Sequence, residues 1–258
     1  MGYLRGAGIL VISGSVDGKT TNEEELNDWW TNEHLPERLG IPGFLHARRY
    51  YAPGDPSSSA SAKYLTCYEV SSLDTLTSVE YMAALNAPTP RTQQFMPTLA
   101  SMNRSSCTIL YSSARSEFAG RLGGGVGATA ALVTFAPPPD PQACDKLRSW
   151  ILDALLPVVF DYPLVLAFHL LERNDAASRA GNLSKSYEAV RFQASSNPVA
   201  AETQGQWIML VEFAESLSAP FAKHQDIVGS VIAPQLFAYA GVSQVGWQVY
   251  ELVCAVSE

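Results

Sequence analysis

Charge is scarce in this chain of 258 residues: only 16% are Asp, Glu, Lys or Arg, and the 17 basic residues are outnumbered by 25 acidic ones. A formal net charge of -8 with no dense basic stripe disfavours binding to a phosphate backbone, so nucleic acid is not an expected partner. Cysteine and histidine are also sparse. Cys67, Cys107, Cys144 and Cys254 lie far apart in apolar surroundings, a pattern of buried thiols rather than of a disulfide framework. His34, His46, His169 and His224 form no H-E-x-x-H, Cys/His cluster or facial-triad spacing, so no metal site is expected. No apolar run approaches the length of a membrane span. The opening MGYLRGAGILVISGSV is too short and too alternating for a signal peptide ahead of mature protein, and reads as a first strand. No membrane partner is expected, and the default is a soluble cytoplasmic protein.

Nucleotide signals are missing as well. GRLGGGVG lacks the Lys-Ser/Thr ending of a phosphate loop and the strand-to-helix spacing of a dinucleotide fingerprint, and no G-x-S-x-G elbow marks a hydrolytic serine. Cofactor-independent chemistry is therefore favoured. What the chain does have is apolar mass: 47% hydrophobic residues suffice for one large domain or two small ones.

The richest stretch runs from Asn22 to Tyr51, NEEELNDWWTNEHLPERLGIPGFLHARRYY. Glu23, Glu24 and Glu25 suit the first turn of a helix, and either Thr21 with Glu24 or Asn22 with Glu25 forms a capping box. Leu26, Trp30 and His34 follow at a spacing of four on one face. Pro36 removes an amide from the last turn, so a helix reaching it is distorted there, and Gly40 and Pro42 end it. Phe44, His46, Arg48 and Tyr50 then alternate with Leu45, Ala47, Arg49 and Tyr51, which puts the first four on one side of a strand.

The order of elements recurs. Strands are expected at Ala7 to Val16, Phe44 to Tyr51, Lys63 to Val70 and Cys107 to Ser112. Asp17-Gly18 makes a turn and APGDPSSSASA a flexible loop. A second helix within Leu73 to Leu85 carries the stripe Leu76, Val79 and Met82, and the proline-bearing return Asn86 to Pro97 is irregular. Residues 1–115 thus form a first β-α-β-β-α-β half, 116–127 a glycine-rich linker and 128–258 a second half. In the second half, strands at Ala128 to Phe135, Leu164 to Glu172, Gln206 to Phe213 and Gly246 to Cys254 alternate with helices at Gln142 to Leu156 and near Phe221 to Tyr239. Aligning Leu35-Pro36 with Leu156-Pro157 matches Trp29 to Trp150, and Glu69 matches Glu212. The excursion Asn174 to Gln204, with Tyr187 and Phe192, has no counterpart of similar length and reads as a lid or, preferably, a surface insertion.

This duplicated order, with DWWTNEHLPERL, IPGF and RRY, resembles the dimeric α+β barrel superfamily, and the helix and following strand resemble its EthD-like members, fungal forms especially. The resemblance implies an α+β fold in which two ferredoxin-like halves form an intrachain dimeric α+β barrel. The chain would be an internal pseudodimer made from a fused tandem repeat, with further homodimerisation left open. It also implies a family range from polyketide cyclases, isomerases and decarboxylases to monooxygenases, haem-dependent members and members without chemistry.

The family's Trp and His-x-Pro pattern falls on Trp30 and His34-Leu35-Pro36. In the second half Ile151 and Leu155 stand at those places, which confines a histidine-dependent site to the first half. His34 reads as a general acid or base, or as a helix-end histidine satisfied by the backbone. His46 is the second catalytic candidate. Trp30, Phe44, Arg48 and Tyr50, with Tyr64, Thr66 and Tyr68 sharing one face of a neighbouring strand, are candidate substrate contacts, the tyrosines able to bind an enolate or phenolic oxygen. Glu69 and Glu212 recur as a structural contact would. His169 is expected to have a local partner in a strand, and His224 to be exposed.

The function expected is a cofactor-independent cyclase, isomerase or lyase working by acid-base catalysis on an apolar oxygenated small molecule, such as a polyketide or aromatic metabolite. The alternatives are a non-enzymatic or stress-associated binding barrel and a cofactor-free oxygenase.

Overall fold

A computed structural model describes residues 4–16, 21–52, 62–116, 127–190, 192, 205–218 and 223–257. The Asp17-Gly18 turn, the loop after Ala52, most of the glycine-rich linker, the insertion beyond Phe192 and the Phe221 end of the last helical segment lie outside the described residues.

In the first half the elements are β1 (Gly8–Val16), α1 (Glu23–Trp29), α2 (Leu35–Leu39), β2 (Phe44–Ala52), β3 (Lys63–Val70), α3 (Val79–Asn86), α4 (Pro90–Phe95) and β4 (Leu99–Ala114). The second half continues with β5 (Thr129–Ala136), α5 (Pro141–Trp150), α6 (Leu156–Phe160), β6 (Val165–Arg173), α7 (Asp175–Asn182), β7 (Trp207–Phe213), α8 (His224–Asp226), α9 (Ala233–Ala238) and β8 (Ser243–Ser257). Among the described residues, no helix is long and apolar enough to cross a membrane.

Two compact units result. The first comprises the described residues of Arg5–Thr108, Asn174–Ala194 and Leu252–Glu258, and the second those of Met1–Leu4, Ile109–Arg173 and Ser195–Glu251. In the first unit the sheet order is β4-β1-β3-β2, antiparallel throughout. The second unit has the order β8-β5-β7-β6, again antiparallel. Each is the ferredoxin-like arrangement, with helices packed on one sheet face over an apolar core.

Local chemistry explains the helix that shapes the site. Asn22 caps α1 by accepting the amides of Glu24 and Glu25 at 3.1 and 3.4 Å, the Asn22 alternative of the two caps expected. Pro36 has no amide to return to Asn32, and the chain widens into a π turn over Trp30–His34, closed by the Leu35 amide on the Trp30 carbonyl. The second unit carries a π turn over Ile151–Leu155, just before Pro157. A one-residue insertion in α-helical phase brings both Trp29 and Trp30 into the core.

Several expectations are corrected. Ser78, not a residue near Leu73, caps α3, so Leu76 lies in a preceding 3-10 turn and the helix phase starts late. Tyr81 and Leu85 are the buried face, while Val79 is 82% exposed. The return Asn86 to Pro97 is not wholly irregular: Thr89 caps α4 and Pro90 occupies its first turn, where no amide is needed. The Asn174 insertion is not simply surface. Asn174 caps α7, and Ser178 and Tyr187 are buried within the first unit. His224 is buried rather than exposed, its ring edge-on to Phe213 at 5.0 Å.

Glu69 and Glu212 hold strand starts. Glu69 accepts the amides of Arg5 and Gly6, and Glu212 accepts that of Gly127 at 3.0 Å. His169 has its local partners: Nε2 is 3.1 Å from Glu212 and Nδ1 3.0 Å from Ser112 Oγ. Cys67, Cys107 and Cys144 are buried and Cys254 is half-buried, and no disulfide joins cysteines among the described residues.

Candidate active site

The strand register assigns each side chain of the first unit to a face. Leu10, Tyr68 and Ala47 form one cross-strand row, Ile12, Thr66 and Arg49 the next, and Gly14, Tyr64 and Tyr51 the third. These rows face the helices, since Leu10, Ile12, Ala47, Tyr64 and Tyr68 share a core with Trp29, Trp30, Leu35 and Tyr81. A bulge between Phe44 and His46 flips the strand phase. Phe44 therefore joins the helix-facing set, whereas His46, Arg48 and Tyr50 pair with Glu69, Cys67 and Leu65 on the opposite face.

The sheet thus divides the residues that strand alternation grouped. Trp30, His34, Phe44, Tyr64, Thr66 and Tyr68 lie between helices and sheet, together with Arg49, which alternation alone places away from Phe44. On the other face Arg48 Nη2 is 3.9 Å from Glu69 Oε2, and His46 is half-buried, with burial pushing its pKa down.

Within the helix-facing layer the polar groups differ in how fully they are satisfied. At one end Trp30 stacks on Tyr64 at 5.6 Å, and the Arg49 guanidinium lies over both rings at 5.0 and 5.5 Å. Arg49 donates to Thr31 Oγ1 at 2.9 Å and to Asn27 Oδ1, and Tyr64 donates to Glu23 Oε2 at 3.0 Å. This end clamps the sheet to α1. Burial, with Glu23 close by, pushes the Tyr64 phenol well up, so it is protonated near neutrality.

At the other end donors and acceptors go unused. His34 is 6% exposed and packs on Trp29 at 4.8 Å, and its Nδ1 is 3.6 Å from Glu37 Oε2, beyond hydrogen-bond distance. Arg38 is 2% exposed; its Nη2 is 3.5 Å from Glu37 and its Nη1 has no partner. The Tyr68 hydroxyl, Trp29 Nε1 and Thr66 Oγ1 are likewise buried without a hydrogen bond. Burial pushes His34 down to about 4, outweighing the upward pull of Glu37, so the imidazole is neutral near neutral pH. Burial pushes the Tyr68 phenol up, leaving it a donor.

The second unit has the same frame with apolar residues at the matching positions. Counting from Pro157 as from Pro36, Leu155 and Val159 replace His34 and Arg38. Counting from Glu212 as from Glu69, Val211 and Met209 replace Tyr68 and Thr66, and all four replacements are buried in that unit's core. Unsatisfied buried polar atoms are costly, about 1–3 kcal/mol each, and a cluster of them calls for a ligand, a water or a catalytic role.

Sequence reasoning did not place Arg38, Tyr81, Arg104 or Tyr187 in a site. The Arg38 signal was available, because a buried arginine stands where the second half has Val159. Arg104 and Tyr187 come from segments far apart in the chain, and no local pattern joins them.

No protein-family model and no curated protein matches the sequence. Solved structures share its fold. A candidate monooxygenase of Fusobacterium nucleatum subsp. nucleatum is similar with a TM-score of 0.53 and 9% identity, over 99% of this chain and 96% of that one. An anthrone oxidase-like protein is similar with a TM-score of 0.57 and 11% identity, over 100% of this chain and 95% of the other. The chain therefore has the mixed α+β fold of the dimeric α+β barrel proteins, with two ferredoxin-like units in one polypeptide.

Proposed function

We propose that the chain is a cofactor-independent enzyme that moves a proton on an apolar oxygenated small molecule, a polyketide or aromatic metabolite, between the helices and sheet of its first unit. The observation that carries this is the asymmetry of the two units: buried His34, Arg38, Thr66 and Tyr68, all with unused hydrogen-bonding atoms, against Leu155, Val159, Met209 and Val211. We further infer that halves 1–115 and 128–258 are a fused duplication of EthD-like type in which only the first half kept a site. Matched π turns and matched glutamate contacts support that inference.

The neutral imidazole of His34 takes a proton from a carbon beside a substrate carbonyl, and the enolate oxygen accepts a hydrogen bond from the Tyr68 hydroxyl. Trp29, Trp30 and Phe44 supply the apolar walls. The enolate then takes the proton back at another carbon, attacks a second carbonyl or expels a leaving group, giving an isomerase, cyclase or lyase.

A second reading follows from the fold shared with the anthrone oxidase-like protein and the candidate monooxygenase. Here the same enolate reacts with dioxygen. For anthrone the balance is one dioxygen consumed and one water released per anthraquinone formed, with no external reductant.

The test is turnover by purified protein of anthrone under air, with oxygen uptake recorded, and of enolisable polyketide-type diketones without oxygen. Turnover of one class, reduced at least 100-fold by His34→Ala, supports the reading. Absence of turnover with both classes, or a rate indifferent to His34→Ala, counts against it and favours a binding protein.

A further inference from the structure

The first unit buries two guanidinium groups around one tyrosine. Arg38 Cζ lies 5.9 Å and Arg104 Cζ 6.0 Å from the centroid of the Tyr81 ring, and the two arginines are 2% and 1% exposed. Glu37 touches Arg38 only at 3.5 Å and is itself partly exposed. Arg104 has neutral partners: the Ser178 carbonyl at 3.2 Å, the Tyr81 hydroxyl at 3.0 Å and the Tyr187 ring face at 5.3 Å. Its Nε and the Nη1 of Arg38 are buried without a hydrogen bond. Among the described residues no carboxylate forms an ion pair with Arg104.

Two buried like charges, one of them with no carboxylate partner, carry a desolvation penalty and a repulsion penalty. A bound anion removes both penalties, and a carboxylate fits the planar fork of a guanidinium. Helix α7 packs directly on the Arg104 guanidinium. A Cβ on Gly181 would come within 2.3 Å of the Arg104 guanidinium carbon and of both its terminal nitrogens, so glycine there lets α7 close over the charged group. Ser178, one turn earlier, fixes α7 by accepting the Ser106 amide at 2.9 Å. The insertion of the second half thus completes the charged end of the first unit's site.

We propose that the substrate is a carboxylate, an apolar aromatic or polyketide acid whose anionic group is held by Arg104 and Arg38 while its ring system lies toward Trp29 and Phe44. This rests on the site assigned above and adds the charge of its ligand. It also gives the Asn174 insertion a role as a specificity element.

Equilibrium fluorescence titration with 9-anthracenecarboxylate and the neutral 9-anthracenemethanol tests the proposal without any need for turnover. Wild-type protein is expected to bind the carboxylate at least 10-fold more tightly than the alcohol. Arg104→Met, Arg38→Met and Gly181→Ala are each expected to lower that preference at least fivefold while leaving alcohol binding nearly unchanged. His34→Ala is expected to preserve it. Equal affinity of wild-type protein for the two probes overturns the proposal even where an arginine variant fails to fold, and so does a preference that persists in a folded Arg104→Met protein. If neutral substrates turn over and the carboxylate preference is missing, the anion inference falls alone. If the preference is present and turnover is missing, the acid-base reading falls alone.

Discussion

The imidazole of His34 lies against the indole of Trp29, ring centroids 4.8 Å apart and planes inclined by 36°. That contact, at the end of a π turn set by Pro36, buries the ring and pushes its pKa down to about 4. The unfolded chain binds a proton at His34 below the ordinary value of 6.5, and the folded chain does so only near 4. The contribution is therefore fully present above pH 6.5 and is lost as pH falls toward 4, by about 3 kcal/mol in all. Urea unfolding between pH 4 and 7 is expected to show this slope in wild-type protein and a shallower one in His34→Leu, which carries the residue found at Leu155. Equal slopes would count against burial of a neutral His34.

Activity should follow the same titration. With neutral His34 as base, kcat/KM rises from pH 4 and is level by about pH 6, rather than turning near 6.5. A profile centred near 6.5 contradicts the burial of this ring.

Tyr68 has a buried hydroxyl with no hydrogen bond. Tyr68→Phe is therefore expected to change stability by less than about 1 kcal/mol while lowering kcat about 100–1000-fold, the range for a lost oxyanion donor. Tyr64 behaves in the opposite way. Its hydroxyl donates to Glu23 at 3.0 Å, and Tyr64→Phe is expected to cost about 1 kcal/mol in urea unfolding with a smaller effect on turnover.

His46 tests the division made by the sheet. It lies on the face away from His34, because the bulge after Phe44 reverses the strand phase. His46→Gln is expected to leave kcat/KM within about twofold of wild type, in contrast to His34→Ala. A comparable loss in both variants would place the chemistry elsewhere.

Glu212 is structural in this account. It accepts the Gly127 amide at 3.0 Å and faces His169 Nε2 at 3.1 Å in a buried setting. Glu212→Ala strands both partners and is expected to cost about 3–5 kcal/mol in denaturant unfolding.

The order of strands and helices was legible because apolar period and turn chemistry agree along most of the chain. The expected bounds Lys63 to Val70 are those of β3, and Asn22 and Pro36 act where their chemistry says they must. The site was half legible. His34, Trp30 and Tyr68 carry local signals, but FLHARRYY alternates without a break, and the one-residue bulge that moves His46, Arg48 and Tyr50 to the other face leaves no mark in it. Helix phase failed at Val79 for a similar reason, since a 3-10 turn resets the count before Ser78. Arg38, Tyr81, Arg104 and Tyr187 meet only through tertiary packing of four separate segments, which pattern reading does not sum.

The central claim, that His34 removes a proton from a carbon acid in the first unit, is tested most directly by hydrogen–deuterium exchange. Anthrone is held without oxygen in D2O at pH 7, and loss of its methylene proton signal is followed by NMR with wild-type protein, His34→Ala and buffer alone. Isomerisation, cyclisation, elimination and oxygenation all share this step. The account predicts exchange at least 100-fold above buffer with wild-type protein and a return to the buffer rate with His34→Ala. Exchange that is equally fast in both proteins, or no faster than buffer in wild type, contradicts it.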